Sequence, residues 1–285
     1  MTRGKRPRLP EVVVCAADSV YPRLAARALE LCIDRCDFAD AILFSDTAVS
    51  GRFRHVAIDR LKSLADYSRF CLSDLPRLTD APFVLVVQWD GYVVDPSAWS
   101  SAFLNYDYIG AAIYLAEGGV VVGNGGFSLR SRKLLDALLK LPLLAGVAED
   151  RAICLTYRPV LERDFGIRFA PLKAAERFSY EVRHPAHRTF GFHGLPNLWR
   201  HEDDATIVAI CKSLPPAVLL SFNSFGLMLA SLQHDRVALA GALYALMRTG
   251  RSMEEILAIV AKWLPVGNVR PMIERLEEVY ASDHL

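Results

Sequence analysis

The 285-residue sequence contains no long hydrophobic run. Its longest apolar stretch, Val237 to Met247, covers eleven residues and includes Gly241, whereas a helix that crosses a bilayer needs about 20. The basic N-terminus is followed by only six apolar residues, Val12 to Ala17, before Asp18, and a signal-peptide core has about 7–15. We therefore expect neither a membrane span nor a signal peptide, and we interpret residues 1–10 as a flexible basic tail.

The sequence also lacks a charge bias and a cysteine framework. Lys+Arg 33 against Asp+Glu 32 leaves a net charge of +1, so no basic field predicts a nucleic-acid partner. The six cysteines are scattered, without a Cys-x-x-Cys pair, and Cys32 and Cys36 fall on one face of a predicted helix. This usage is typical of buried thiols in a reducing compartment. We expect a cytoplasmic protein, and a peripheral contact with the inner face of the membrane stays open as an alternative.

Short apolar runs alternate with amphipathic stretches over the first two hundred residues, which predicts an α/β sandwich. The most apolar β-branched run, Phe83 to Val87, is the predicted central strand. The other predicted strands are Val12–Ala16, Ala41–Ser45, His55–Ile58, Tyr108–Ala112, Phe127–Arg130 and Ile167–Phe169. After about residue 202 only helical patterns follow, with a capping box at Ser252–Glu255 and Pro271 in the first turn of a last helix. We predict an α/β domain over 11–200 and an α-helical domain over 201–285.

A carboxylate follows the predicted central strand directly, in Gln88-Trp89-Asp90-Gly91. Ligands of open α/β sheets bind at the carboxyl ends of the strands. A carboxylate at that place suits Mg²⁺ or Mn²⁺, which can bridge a diphosphate. The alternative is that Asp90 caps a loop and that Trp89 packs against its neighbours.

Two further segments each have a structural and a functional interpretation. Gly123-Asn-Gly-Gly126 either forms a tight turn or lets the backbone approach a sugar closely. Glu149-Asp150 either interacts with the dipole of a helix start or supplies the base that deprotonates an acceptor hydroxyl.

Histidines are frequent near the end of the α/β part. His184 and His187 are three residues apart with Pro185 between them, which argues against the helical zinc motif of metalloproteases. His193 lies in the aromatic, glycine-rich segment Phe190 to Gly194. That setting fits substrate contact better than core packing.

Five motifs occur in order: Phe83–Val93, Asp107–Gly110, Val122–Arg130, Glu149-Asp150 and Phe190–Gly194. Together they resemble an uncharacterised microbial family of GT-A-type glycosyltransferase domains, over roughly residues 10 to 200 and not over the helical tail. The resemblance implies a nucleotide-binding sandwich with a Rossmann-like mixed sheet. It also implies hexosyl transfer from a nucleotide diphosphate sugar donor to a glycan or lipid-linked hydroxyl acceptor, as in polysaccharide biosynthesis.

The resemblance further implies roles for individual residues. The Asp-x-Asp metal motif of GT-A enzymes corresponds to Gln88-Trp89-Asp90, so Asp90 is its single carboxylate, and His193 is the expected second ligand of Mn²⁺ or Mg²⁺. The base of an inverting displacement is Asp150 or Glu149. The remaining assignments are Asp18, Ser19, Tyr67, Gln88, Trp89 and Asp90 for the donor, and Asn124, Gly125, Gly126, Phe127 and Ser128 for the sugar or acceptor.

Other hypotheses stay open. Because Gln88 replaces the first acid of the metal motif, the chain could be a non-catalytic nucleotide-sugar or glycan-binding module on the same fold. A hydrolase or nucleotidyltransferase is a third alternative, but the sequence has no Gly-x-Ser-x-Gly elbow and no paired-acid metal site. The helical part could pack on the α/β domain, form a homodimer or face a membrane-linked acceptor.

Overall fold

The computed structural model of the protein describes residues 6–115, 118–182 and 185–282. The chain forms two compact units that divide between His193 and Gly194. Residue 200, the predicted domain boundary, lies within the second unit. Residues 1–5 of the predicted tail lie outside the described residues, while Arg8 to Pro10 already belong to the first strand and so correct the predicted end of the tail.

A six-stranded mixed sheet forms the centre of the first unit. Its strand order is β3-β2-β1-β4-β8-β5, and β8 runs antiparallel to both of its neighbours while the β1–β2, β2–β3 and β1–β4 pairs are parallel. The strands are β1 (Arg8–Ala17), β2 (Asp37–Ser45), β3 (Arg54–Ala57), β4 (Phe83–Val87), β5 (Tyr108–Gly110), β6 (Ala112–Tyr114), β7 (Val120–Val122), β8 (Phe127–Ser131), β9 (Ser179–Tyr180) and β10 (Gly191–Phe192). Short two-stranded sheets pair β6 with β7 and β9 with β10.

Helices connect these strands, as the sequence predicts. They are α1 (Pro22–Arg35), α2 (Leu64–Arg69), α3 (Leu75–Leu78), α4 (Arg132–Leu138), α5 (Glu149–Arg151), α6 (Arg158–Phe165) and α7 (Leu172–Phe178), with π-helical turns at Phe70–Asp74 and Ala152–Thr156. Ser131 caps α4 as expected, because its Oγ accepts the backbone N–H of Leu134 at 3.1 Å. The mixed sheet with its helices and the helical C-terminal region confirm the predicted α/β class.

The central position predicted for β4 is confirmed. Val84 to Val87 are each at most 2% exposed, as expected for a strand that is covered on both faces. The prediction of one strand over Tyr108–Ala112 is wrong in detail, because the chain there divides into β5 and β6. Ile167–Phe169 is also not a strand; Phe169 forms only an isolated bridge with Tyr108.

The second unit is helical throughout its regular structure. Its elements are a 3₁₀ segment at Leu195–Arg200, then α8 (Asp204–Lys212), α9 (Pro216–Leu219), α10 (Phe222–Gln233), α11 (Val237–Arg248), α12 (Met253–Val260) and α13 (Val266–Ser282). The capping box of Ser252 and Glu255 is present. Pro271, however, lies inside α13 and not in its first turn. At this position Pro271 has no N–H to donate to the carbonyl of Gly267, four residues before it.

Within the described parts of the chain, no helix combines the length and the apolar character needed to cross a membrane. All six cysteines are buried and form no disulfide.

Candidate functional site

The polar residues that follow β1 and β4 lie side by side. These strands are parallel neighbours, with Cys15 opposite Val86. The polypeptide therefore leaves both strands at the same edge of the sheet, at Asp18 after β1 and at Gln88 after β4. One Asp18 carboxylate oxygen accepts the backbone N–H groups of Val20 and Tyr21, at 2.7 and 2.6 Å. Asp18 therefore anchors the loop that leads into α1.

Asp18 and Asp90 influence each other electrostatically. Burial raises the pKa of Asp18 above its ordinary value, two backbone N–H groups act against this, and the charge of Asp90 raises it further. Asp90 itself is only 7% exposed. The sheet edge thus places two acidic side chains where a cationic group would be stabilised.

The imidazole of His193 is such a group, and it forms the centre of the site. Its Nε2 lies 3.0 Å from Oε1 of Gln88 and 3.3 Å from a carboxylate oxygen of Asp90. His193 follows β10 directly, more than a hundred residues after Gln88 in sequence. The structure therefore brings together the two residues predicted as metal ligands, Asp90 and His193, together with Gln88.

Glu181 is a site residue that the sequence analysis missed. Its Oε1 lies 3.0 Å from Nδ1 of His193, and its Oε2 accepts a hydrogen bond from Nδ2 of Asn124 at 2.9 Å. Glu181 follows β9, which pairs with β10 in a parallel two-residue ladder. No local motif marks this residue; the pairing of β9 with β10 is what brings it to the histidine.

The two carboxylates determine the charge of the histidine. Burial acts to lower the pKa of His193, but Asp90 and Glu181 outweigh burial and raise the pKa well above its ordinary value. The carboxylates of Asp90 and Glu181 therefore favour the protonated form of the ring.

A glycine turn packs against the same ring. A Cβ at Gly126 would lie 2.2 Å from Nε2 of His193, and a Cβ at Gly125 would lie 2.3 Å from a carboxylate oxygen of Glu149 and 3.0 Å from Cβ of Asp150. Consecutive glycines thus contact the histidine on one side and the acidic pair on the other. A side chain at either glycine would collide with these groups, so the close packing of the turn requires both glycines.

Glu149 is engaged in a buried ion pair. Its carboxylate lies 3.0 Å from Nη2 of Arg130, and the two side chains are 5% and 0% exposed. Arg130 also donates to the Gly125 carbonyl at 3.3 Å and to Oγ of Ser128 at 3.0 Å. Burial raises the pKa of Glu149, Arg130 lowers it and Asp150 raises it. Glu149 thus provides the counter-charge of a buried guanidinium, and of the two acids predicted as the base it is the less accessible.

Asp150 keeps the access that Glu149 lacks. It is half-buried, and one carboxylate oxygen accepts the N–H of Arg151 at 2.7 Å. Asp150 is in the first turn of α5, so the predicted helix start is confirmed.

Several predicted ligand contacts have structural roles in this conformation. Ser19 is buried and its Oγ accepts the N–H of Leu61 at 3.0 Å. Phe127 and Ser128 are 0% exposed, and the Ser128 hydroxyl donates to the Gly125 carbonyl at 3.0 Å. These side chains hold the turn and the loop in place, and those of Phe127 and Ser128 expose no surface.

The remaining predicted donor residues lie around Gln88 and Asp90. The Trp89 ring is half-buried and tilted against Tyr21, with 5.6 Å between the ring centroids. Burial raises the pKa of Tyr67 well above its ordinary value, while the neighbouring Gln88 acts in the opposite direction. Asn124 is 3% exposed, and its side chain is used within the site.

The donor atoms that converge here fit a divalent cation only in part. Carboxylate and amide oxygens with an imidazole nitrogen suit Mn²⁺ and Mg²⁺, and Asp90, Gln88 and His193 present that set. Glu181 behind Nδ1 orients the ring, as the outer partner of a metal-binding histidine usually does. Across the described ranges, however, no cluster of three His, Cys, Asp or Glu side chains has metal-binding geometry. An ion would need the Gln88 amide and oxygens of its substrate. Of His184 and His187, for which the sequence argues against a zinc motif, His184 lies outside the described residues.

Comparison with known proteins gives distant structural matches. Galactosyltransferase LgtC in complex with donor and acceptor sugar analogs is 16% identical, with 64% of this chain and 86% of that chain covered and a TM-score of 0.38. TarS 1-349 of S. aureus is 11% identical, with 94% of this chain and 87% of that chain covered and a TM-score of 0.40. Mannosyltransferase PcManGT from Pyrobaculum calidifontis in complex with GDP-Man and Mn²⁺ is 11% identical, with 94% of this chain and 81% of that chain covered and a TM-score of 0.40.

No curated protein matches the sequence. A family model described as "Protein of unknown function (DUF5672)" matches residues 51–193, half of the chain and the part that carries Gln88, Asp90, Glu181 and His193. The chain belongs to this DUF5672 family.

Proposed function

We propose that the protein is a glycosyltransferase that uses a nucleotide diphosphate sugar as donor. The observation that carries the proposal is the convergence of Gln88 and Asp90 on Nε2 of His193 at the carboxyl end of β4, with Glu181 fixing the opposite side of the ring. Ligand sites of open α/β sheets form at this edge. The resemblance of the motifs to GT-A-type domains supports the same reaction.

Asp90, His193 and Gln88 are the residues that would hold Mn²⁺ or Mg²⁺. When bound, the ion supplies positive charge against the diphosphate, which becomes more negative as the sugar leaves. The chain contributes the orientation of the ring, because Glu181 holds Nδ1 at 3.0 Å and leaves Nε2 directed at Gln88 and Asp90.

Asp150 is the proposed base. Its carboxylate takes the proton of the acceptor hydroxyl as the hydroxyl oxygen bonds to the anomeric carbon. The bond from that carbon to the diphosphate oxygen breaks, and the nucleoside diphosphate leaves with the electron pair. Because attack and departure occur on opposite faces of the sugar, this displacement inverts the anomeric centre. Glu149 and Arg130 support the step by fixing the carbonyl of Gly125.

The donor nucleotide is proposed to lie near Trp89 and Tyr21. Their tilted rings provide apolar surface beside Asp18 and Asp90. Stacking on aromatic surface holds a base with little sequence preference.

Slow donor hydrolysis tests the proposal. The purified chain should bind UDP or GDP in the presence of Mn²⁺ and should release nucleoside diphosphate from a matching sugar donor. Asp90→Asn should abolish the Mn²⁺-dependent part of nucleotide binding in calorimetry, while the same change at the exposed Asp80 should not. Asp150→Asn should reduce nucleotide release about 10²–10⁴-fold and leave nucleotide binding intact. Equal Mn²⁺-dependent nucleotide binding by the wild type and Asp90→Asn would show that Asp90 does not hold the ion.

Gln88 in place of an acid favours a second candidate, a binding module without turnover. The amide contributes no negative charge to the site, which weakens its attraction for a divalent ion. Nucleotide-sugar binding without release of nucleotide from any of the common UDP- and GDP-linked donors would favour this module over the enzyme.

A further inference from the structure

The second unit has an exposed apolar surface that plays no part in the assignments above. Its helix α9 has the sequence Pro-Ala-Val-Leu, and none of these residues is buried. Phe222, the first residue of α10, is 50% exposed, and Trp263, in the turn after α12, is 41% exposed. We call α9, Phe222 and Trp263 together the aromatic surface.

Several contacts join these elements into one surface. The rings of Phe222 and Trp263 lie edge to face, with 6.4 Å between their centroids. The Ser224 hydroxyl donates to the carbonyl of Val218 at 2.7 Å, which fixes α9 against the start of α10. Trp263 also packs against Phe225, which is 0% exposed, with 6.1 Å between the ring centroids. The core of the unit therefore holds one side of the indole while the rest of the ring faces outward.

The chain segments that form the aromatic surface carry basic charge and no acidic charge. Residues 205–233 and 256–273 contain neither Asp nor Glu. The exposed charged side chains of these two segments are Lys212, four residues before α9, and Lys262, directly before Trp263. The charge beside the aromatic surface is thus positive.

This positive charge is not neutralised within the part of the chain that the structure describes. Neither Lys212 nor Lys262 forms an ion pair with any of the described residues. Arg270, the remaining cation of the two segments, is in contrast paired with Glu254 at 2.9 Å. The two lysines are therefore available to an anionic partner.

A lipid surface matches both properties of the aromatic surface. Exposed Trp and Phe rings insert at the boundary between headgroups and acyl chains, and anionic headgroups attract nearby lysines. A second copy of the chain fits less well, because a two-fold interface places the same patch of both copies face to face and so brings like charges together. Lysine is also depleted from interfaces between proteins.

We propose that α9, Phe222 and Trp263 insert into the interfacial region of a bilayer that contains anionic lipids, with Lys212 and Lys262 at the headgroups. In this arrangement the protein lies on the membrane and does not span it. Insertion does not require the proposed transfer reaction, so the two proposals are tested separately.

Flotation of the full chain with lipid vesicles tests the proposal. Vesicles of equimolar phosphatidylglycerol and phosphatidylcholine should bind the chain at least about tenfold more tightly than vesicles of phosphatidylcholine alone, because each lysine contributes about fivefold near an anionic surface. Raising NaCl from about 0.1 M to about 1 M should weaken this binding, because the Debye length falls from about 10 Å to about 3 Å. Absence of binding to the anionic vesicles, or equal binding to both kinds of vesicle, would overturn the proposal.

Single variants test whether the aromatic surface is what binds. Phe222→Ser and Trp263→Ser should each weaken binding to the anionic vesicles at least about fivefold through the lost apolar area. Lys262→Gln should weaken it about fivefold. The matched controls are Tyr114→Ser, whose ring is 51% exposed in the first unit, and Lys173→Gln, at an exposed position of α7. Both controls should bind as the wild type does, and circular dichroism shows that each variant is folded.

Every outcome decides for or against the membrane surface. Equal vesicle binding by Phe222→Ser and Tyr114→Ser overturns the assignment of the surface, even where the wild type binds vesicles. Oligomers that Phe222→Ser dissociates, in a chain that binds no vesicles, assign the surface to a second copy and overturn the proposal. A chain that binds vesicles through Phe222 and Lys262 but binds no nucleotide supports the membrane surface and overturns the transferase.

Discussion

Replacing Gly126 by alanine tests whether the glycine turn and His193 form one unit. The new Cβ would lie 2.2 Å from Nε2, 2.4 Å from Cδ2 and 2.5 Å from Cε1 of His193, all far inside van der Waals contact. The ring cannot move without breaking hydrogen bonds, because Nδ1 lies 3.0 Å from Glu181 and Nε2 lies 3.0 Å from Gln88. Either the backbone of the turn shifts or the ring leaves its partners.

Both responses have a cost of similar size. Forcing extra volume into a packed site costs about 1–3 kcal/mol, and each lost hydrogen bond to a charged group costs about 1.5–3 kcal/mol. We expect the free energy of unfolding of the first unit to fall by about 2 kcal/mol. For a unit of this size, that lowers Tm by about 4–8 °C. A displacement of the ring by about 1 Å should reduce donor hydrolysis about 100-fold.

Thermal unfolding, monitored by circular dichroism, measures the change in Tm, and a nucleotide-release assay measures the change in donor hydrolysis. Gly267→Ala is the matched control, because a Cβ at this helical glycine meets nothing within 4 Å. The double variant Gly126→Ala/His193→Ala should be as stable as His193→Ala alone, since it removes the clash. Wild-type stability and hydrolysis in Gly126→Ala would refute the reasoning. So would a double variant in which the two losses of stability simply add.

Three further predictions concern individual interactions. Glu149→Gln should lower the free energy of unfolding by about 3–5 kcal/mol, because it leaves the fully buried Arg130 without its counter-charge; a loss below 1 kcal/mol in urea titrations would contradict the buried pair. Glu277→Gln should cost about 1 kcal/mol at neutral pH. Arg248 lowers the pKa of Glu277. The ion pair therefore contributes its full stabilisation above the ordinary pKa of glutamate, and this stabilisation is lost as the pH falls through the lowered pKa of Glu277. A loss of stability in Glu277→Gln that persists in acid would be inconsistent with this reasoning. Ser252→Ala should cost about 1 kcal/mol through loss of the N-cap, whereas Ser252→Thr should be close to neutral in the same urea titrations.

The sequence predicts local features well where the interacting residues are close along the chain. Ser131 accepts an N–H three residues away, and Ser252 and Glu255 exchange hydrogen bonds over the same spacing. The burial of β4 follows from its unbroken apolar run. The prediction at Pro271 was wrong, because the preference of proline for the first turn of a helix does not by itself fix where a helix begins, and α13 begins at Val266.

The candidate site was predicted only in part. The position of Asp90 after a strand and the resemblance to GT-A-type domains, which implies His193 as a second ligand, predict this pair, and the structure brings the two side chains within 3.3 Å. Glu181 carries no such signal, because nothing near it in sequence distinguishes it from a surface acid. The ion pair of Glu149 carries no local signal for the related reason that its partner, Arg130, lies nineteen residues away.

The order of strands and helices and the placement of an acid at the end of the central strand are properties of the sequence itself, because backbone hydrogen bonding and side-chain periodicity act over a few residues. Only the tertiary structure decided which charges become partners. The strength of an electrostatic interaction depends on distance and on exclusion of water, and both are set by the packing of segments far apart in the chain: Glu181 against His193, and Arg130 against Glu149.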